Sequence, residues 1–532
     1  MIAKFKYLAI PLSVLLTACS ITPHPVSLDE QKEITSQDRI KASSGVEPVG
    51  LTLTLNEAVA RGLKYNLEYR SKMMERAIAM GAADLSNYDM LPKIAANAGY
   101  NYRNNYFITK AEGAYTGTPV TSEPLITSAK DYGVIGLGLS WNLLDFGVSY
   151  YSAVQNADKV LVASEQRRHA MHLLIQDIQT AYIRAASAQQ LKNELNTTII
   201  AATEALKNSK KSDEEGLRTP LEALKYQKSL LDNVRILETI RQELSSAVIE
   251  LNHLINLPPA TAYELESLNT IIIPNAYLDK DPSEFEIRAL ANNADLKESI
   301  YTARIAVVET RKSLLRLLPS LNLSVGPQAS NNSFYLNQNW VEGAAQVSYN
   351  LWNILTAPMV KKQAEANEAL AAQKRMMVQM AVVSQVYIAK YTLGNALTLF
   401  ERSGEISDVD DRISEITETK EKEGSASSAE KVAADANAIL SKLRKYQALS
   451  QLFAASGRLQ ATAGLEPDIS SLDDITLNEL TGVVKKAFSA WNSGELPPLQ
   501  IAEIEQTANK TANSDQKSDQ AESQTAIAQA IN

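Results

Sequence analysis

His169 and His172 lie three residues apart, with Glu165 a turn earlier. On a helix all three could face one way and offer two imidazoles and a carboxylate to a metal ion. Asp408, Asp410 and Asp411 hint at the start of a calcium loop. Neither set is complete. His24 and His253 are remote from the histidine pair, and the acidic triplet lacks the glycine and closing glutamate that an EF-hand loop needs. No glycine-rich phosphate loop, nucleophile elbow or cysteine cluster occurs. These residues therefore point to no catalytic, metal or cofactor site, and the chain reads as not an enzyme.

Cys19 is the one cysteine, which excludes a disulfide within the chain. It ends Leu16-Thr17-Ala18-Cys19, behind Lys4, Lys6 and an apolar run from Leu8 to Leu16 that is too short for a permanent membrane helix. The stretch resembles the bacterial lipobox. That resemblance implies a signal peptide over 1–18 and lipidation of Cys19, palmitate included, as the mature N-terminus. Ser20 in place of Asp favours the outer membrane. Residues 19–50, polar with Pro23 and Pro25, are expected to be a tether. An ordinary signal peptide containing a chance cysteine is the other reading.

The 532 residues are 45% hydrophobic and 21% charged, a globular composition, and a net charge of −9 argues against nucleic acid as a partner. The elements come twice. Thr54 and Glu57 suggest a capping box, and Asp281 with Glu284 repeats it, with Pro282 at the first helical position. A shift of 227 places Arg61 on Arg288, Leu63 on Leu290, Asn66 on Asn293, Ile78 on Ile305, Ser86 on Ser313 and Leu91-Pro92 on Leu318-Pro319, with no gap. Such register indicates a duplication. Each copy reads as a helix stopped by Leu-Pro and followed by a strand.

After each Leu-Pro the period changes to two. Ile94, Ala96, Ala98, Tyr100 and Tyr102 share one face, as do Ile135, Leu137, Leu139 and Trp141. In the second half Leu321, Leu323 and Val325, then Val341, Ala345, Val347 and Tyr349, do the same. Residues 104–131 read as a long hairpin loop. Two hairpins of this length, apolar outside and polar inside, fit membrane β-strands with an aromatic girdle. Four strands cannot close a barrel, and open edges are not tolerated in lipid, so the barrel must be shared between subunits.

Long helices follow each hairpin: about 148–211 with a return over about 221–256, then about 359–422 with a return over about 428–464. A shift of 208 pairs Gly216 with Gly424 and Leu257 with Leu465, so the return helices should be equally long. Leu224, Leu231, Val234, Leu237, Ile240, Leu244 and Val248 suggest one coiled-coil-like seam.

This order over residues 51–470 resembles the TolC-like outer-membrane factors. The Leu-Pro junctions, Trp141-Asn142-Leu143 matched by Tyr349-Asn350-Leu351, and the two glycine-centred tips carry the resemblance. It implies an α+β membrane protein: a homotrimer with a twelve-stranded β-barrel, four strands per protomer, continued by a periplasmic α-helical barrel. The expected units are repeats at 51–257 and 281–466, a linker at 258–280, an equatorial segment at 467–500 and a disordered tail at 501–532. The implied function is passive export through the outer membrane, with a periplasmic adaptor and an inner-membrane pump of RND, ABC or MFS type. Gly216, Leu217, Thr219, Gly424 and Ser427 carry over as adaptor-docking tips, although Ser425 departs from the apolar residue expected after the second glycine. Glu430 and Glu222 carry over as a candidate acidic ring at the tunnel entrance, against a reading as solvated helix charges. A lipid-anchored periplasmic coiled-coil scaffold without a pore is the alternative function.

Overall fold

A computed structural model describes residues 25–215, 219–469 and 475–497. Cys19, Gly216, Leu217 and the tail from 501 lie outside the described residues.

Helix α1 spans Leu28–Ser43, so the tether carries a helix, though a mostly polar one with no buried residue. A two-residue strand β1 (Thr52–Leu53) leads into α2 (Leu55–Tyr65) and α3 (Leu67–Tyr88). The single helix expected here is broken at Asn66, which ends α2 and starts α3 in extended conformation. Thr54 does cap α2, accepting from the Glu57 amide, but the Glu57 carboxylate turns to Arg61 at 2.8 Å, so only half the expected capping box forms.

Strand β2 (Lys93–Tyr102) follows. The long loop is not wholly irregular: it carries a short antiparallel pair, β3 (Phe107–Thr109) and β4 (Leu125–Ser128), before β5 (Asp131–Asn142). Helix α4 then runs 72 residues, Leu143–Glu214, roughly 110 Å. Its return, α5, is Pro220–Leu254. The linker contains β6 (Glu264–Leu265), which pairs in parallel with β1.

The second half repeats the plan with α6 (Pro282–Asn292), α7 (Ala294–Leu315), β7 (Ser320–Ser330), β8 (Asn339–Ser348), α8 (Trp352–Lys422) and α9 (Ser428–Thr462). The break now falls at Asn293, 227 positions after Asn66. Both return helices are 35 residues long, as the matched glycines required. Helix α8 starts seven residues earlier than expected and runs through Pro358. Pro358 is past the first four N–H groups, so the helix gives up one backbone hydrogen bond there. Helix α10 (Leu477–Asn492) packs its apolar face, including Leu480, Val484 and Phe488, near α2.

Three layers result. The sheet has strand order β2-β5-β7-β8, antiparallel throughout. Beside it, α3, α4, α7 and α8 pack in that order; beyond the waist the order is α5, α4, α9, α8. The main core lies at the waist, around Leu53, Val59, Leu63, Ile178, Tyr182, Phe285, Val386 and Leu452. The expected seam on α5 is only partly real. Leu237, Ile240 and Leu244 are buried with Leu230, whereas Leu224 and Leu231 face out.

Candidate conduit, waist and tips

The pairing register lines up one apolar face across the sheet. Ile94 stands opposite Leu139 and Leu139 opposite Val325, while Trp141 stands opposite Leu323 and Leu323 opposite Ala345. The alternate face brings Asn97 to Gly136, Gly136 to Gln328, Asn142 to Asn322 and Asn322 to Gln346. Side chains alternate across a strand, so one face suits hydrocarbon and the other water. The strands are 10, 12, 11 and 10 residues long, enough to cross a bilayer core when tilted. Ile94, Tyr100, Ile135, Val341 and Val347 are all exposed in the single chain. Gly326 marks a tight crossing: a Cβ there would lie 2.0 Å from the Leu137 carbonyl oxygen.

The strand exits are built alike. The Asn142 side chain accepts from the Leu144 and Asp145 amides, and the Asn350 side chain accepts from the Trp352 amide. Each asparagine thus turns a strand into a long helix. At the opposite end of the sheet Asn332 is fully buried. It accepts from the Ala129 amide at 3.2 Å and donates to Ser128 Oγ at 3.0 Å, clasping the first hairpin to the second.

The waist holds the densest polar contacts. Asn66 Nδ2 donates to the Leu254 carbonyl and Asn293 Nδ2 to the Thr462 carbonyl, both at 3.0 Å. Arg61 is buried and holds the incoming chain by the Glu47 and Pro48 carbonyls. Arg168 binds Glu165 at 2.5 Å, Glu466 at 3.0 Å and the Asn292 carbonyl. Burial pushes the Glu466 carboxyl up, but the nearby His172 and the Arg168 charge outweigh it and hold the carboxyl below the usual range.

The sequence brought His169 and His172 together, but the structure separates their tasks. His169 Nδ1 is 2.8 Å from Asp295, whereas His172 Nε2 lies 3.5 Å from Glu466. The hydrogen bond to Asp295 raises the His169 pKa against partial burial. Asp408 and Asp411 sit within α8, where Asp411 pairs with Lys442 at 3.0 Å.

At the second tip Gly424 adopts φ +74, a left-handed turn that glycine takes without strain. Ser427 caps α9, and Glu430 closes a full capping box, its carboxylate 2.7 Å from the Ser427 amide. At the first tip Thr219 Oγ1 donates to Glu222 at 2.7 Å. Glu430 and Glu222 therefore hold equivalent positions at the starts of the two return helices. Both tips carry Ser/Thr-x-x-Glu spacing in the sequence, Thr219 to Glu222 and Ser427 to Glu430. Tyr226 joins the hairpins by accepting from the Ala429 amide at 3.1 Å.

A family model described as outer membrane efflux protein matches residues 66–257. No curated protein matches the chain by sequence. Among solved structures, the chain is similar to the Campylobacter jejuni CmeC outer membrane channel, with TM-score 0.62 and 14% identity over 82% of this chain and 90% of that one. It is similar to the outer-membrane channel OprN, with TM-score 0.60 and 15% identity over 77% and 90%. It is also similar to the open state of the Neisseria gonorrhoeae MtrE outer membrane channel, with TM-score 0.54 and 16% identity over 78% and 91%. The chain shares the fold of these outer-membrane channels, and its residues 66–257 match the family model described as outer membrane efflux protein.

Proposed function

We propose that this chain is the outer-membrane channel-tunnel of a tripartite efflux or type I secretion system, passively conducting substrates delivered from the inner membrane. One observation carries the proposal: a four-stranded antiparallel sheet with an apolar and a polar face, open at β2 and β8, stands on a helical wall that is also open at both flanks. Unpaired edges in lipid are costly, so closure through further copies follows, and three copies give twelve strands. The polar face then lines the water-filled path.

In this reading Cys19 carries the lipid anchor. The tips at Gly216, Leu217, Thr219, Gly424 and Ser427 dock a periplasmic adaptor linked to an inner-membrane pump, and Glu430 with Glu222 rings the entrance. The Thr219–Glu222 bond at the first tip and the Ser427–Glu430 capping box at the second support a common docking role, because each ties the start of its return helix. No step needs catalysis, and energy comes from the partner pump.

The test is single-channel conductance of the purified protein in planar bilayers, beside its Glu430→Ala variant. Cation-selective openings whose selectivity weakens or whose conductance grows in the variant support both duct and ring. Openings unaltered by the substitution keep the duct and remove Glu430 from the entrance. A folded protein that never conducts, even with both tips loosened by substitution, overturns the channel.

A further inference from the structure

A groove opens where the corner Ser44-Gly45, the end of α2, one face of α3 and a turn of α4 come together. Its volume is about 540 Å³, within the range of small-molecule sites. Four cationic side chains line it, Lys64, Arg70, Arg76 and Arg167, and no carboxylate does. Among the described residues only Lys64 has an acidic partner within 4 Å, Glu47 at 3.6 Å. Arg76 Nε donates to the neutral Ser164 hydroxyl at 3.0 Å. Arg167 Nη1 reaches the Tyr69 hydroxyl at 3.4 Å, and its Nε is buried with no hydrogen-bond partner among the described residues. Asp84, on the same side of α3, stands a turn beyond the lining. The apolar part of the groove is Met73, Met74 and Met80, the last two exposed at 60% and 43%.

The duplication shows that the fold does not require this set. The 227-residue shift places Ala291 where Lys64 stands and Ala303 where Arg76 stands, and it exchanges the methionines for Ile300, Tyr301 and Val307. Lys297, in the place of Arg70, stands near Glu165 and Glu466. Arg304, in the place of Ala77, binds Asp158. Arg167 alone keeps its charge without a carboxylate at hand, as Arg375 under the 208-residue shift. The second half thus builds the same corner without a cluster of unpaired cations. In the first half like charges share one cleft, and their repulsion is relieved by an anion.

We propose that this groove binds an amphiphilic anion, its acidic groups held by Arg70, Arg76 and Arg167 and its apolar body lying on Met73, Met74 and Met80. Guanidinium groups match the planar geometry of carboxylate and the oxygens of phosphate, and methionine adapts to apolar bodies of varied shape. Every one of these residues belongs to a single chain, so the site goes beyond the channel reading and does not depend on it.

The probe is aminopyrene trisulfonate, a fluorescent trianion on a flat apolar body, titrated into the full-length protein in non-ionic detergent at physiological salt. Fluorescence anisotropy should show saturable binding. Arg70→Gln combined with Arg76→Gln should weaken it about tenfold or more. Arg235→Gln with Arg241→Gln, the same charge change on exposed positions of α5, should leave it unaltered. Met74→Gln with Met80→Gln should weaken binding several-fold, and hydroxyl-radical oxidation of Met74 and Met80 in the unsubstituted protein should fall when the probe is bound. Melting curves verify that each variant folds. Absence of saturable binding, equal weakening by both arginine pairs, or undiminished methionine oxidation overturns the site. Inorganic phosphate that displaces the probe at the probe's own concentration overturns its amphiphilic character, because the charged groups would then suffice.

Discussion

Asn66 and Asn293 do the same work in the two halves. Each ends one helix, caps the next and ties that corner to the last turn of its own half's return helix, at Leu254 or Thr462. Both are nearly buried.

Replacing either asparagine by alanine loses a cap and leaves a buried carbonyl unpaired. Each substitution should cost about 1–3 kcal/mol. Denaturant titration of the detergent-solubilised protein checks this. Asn66→Asp keeps the capping acceptor but sets a buried carboxylate oxygen against the Leu254 carbonyl, so its loss should be no smaller than that of Asn66→Ala.

Gly464 and Asn256 close α9 and α5 at equivalent positions, both with positive φ, +68 and +55. A Cβ at Gly464 would lie 2.5 Å from the Asn292 carbonyl oxygen, a backbone atom that cannot step aside. Gly464→Ala should therefore destabilise by more than the ~1 kcal/mol of left-handed strain alone. Asn256→Gly relieves strain but gives up the bond to the Ala42 carbonyl, so its stability should change little. Paired melting curves read the difference.

Glu430 is held below the ordinary glutamate range by its bonds to the Ser427 amide and hydroxyl. Its stabilisation of the tip is therefore full at neutral pH and is lost only as pH falls through that lowered value. Hydrogen exchange at the Ser427 amide should stay slow to mildly acid pH and then quicken. In Glu430→Ala it should be fast throughout.

His169 is pushed up, foremost by its bond to Asp295, and Asp295 is pushed down, foremost by the same bond. The histidine's contribution is full below its unfolded pKa and fades as pH rises through the raised folded one. The aspartate's part is present above its unfolded pKa and is lost only as pH falls through its lowered value. Their joint effect is thus greatest in mild acid. His169→Gln should lower stability more at pH 5.5 than at pH 8. The pair is about half exposed, so solvent limits the difference to under about 1 kcal/mol.

Much of this architecture can be read from residue order. The Leu-Pro junctions, the switch to period two and the matched glycines set out both repeats, because each acts through neighbours in the chain. What escaped depends on partners far away. Asn66 was visible as a repeated residue, but its task needs a carbonyl 188 residues downstream. Glu57 has capping-box spacing, yet Arg61, itself recruited to hold Glu47 and Pro48, takes its carboxylate. The apolar run on α5 looked like one seam because a helix in a wall has two apolar flanks. Leu237 faces inward in the chain, while Leu224 and Leu231 are left outward. At the tips, Glu430 and Glu222 were read only for their charge, although their spacing from Ser427 and Thr219 already gave them a local task.

Because the two open flanks of this chain are different surfaces, each copy in a closed ring must satisfy one neighbour with β2 and α3 and another with β8 and α8. A chain damaged on one flank alone still presents a sound opposite flank and still recruits a healthy copy. In a cell carrying both forms, such a mutant would not behave as a silent absence. It would terminate rings begun by intact chains, so inheritance of a one-sided lesion at this locus should be dominant.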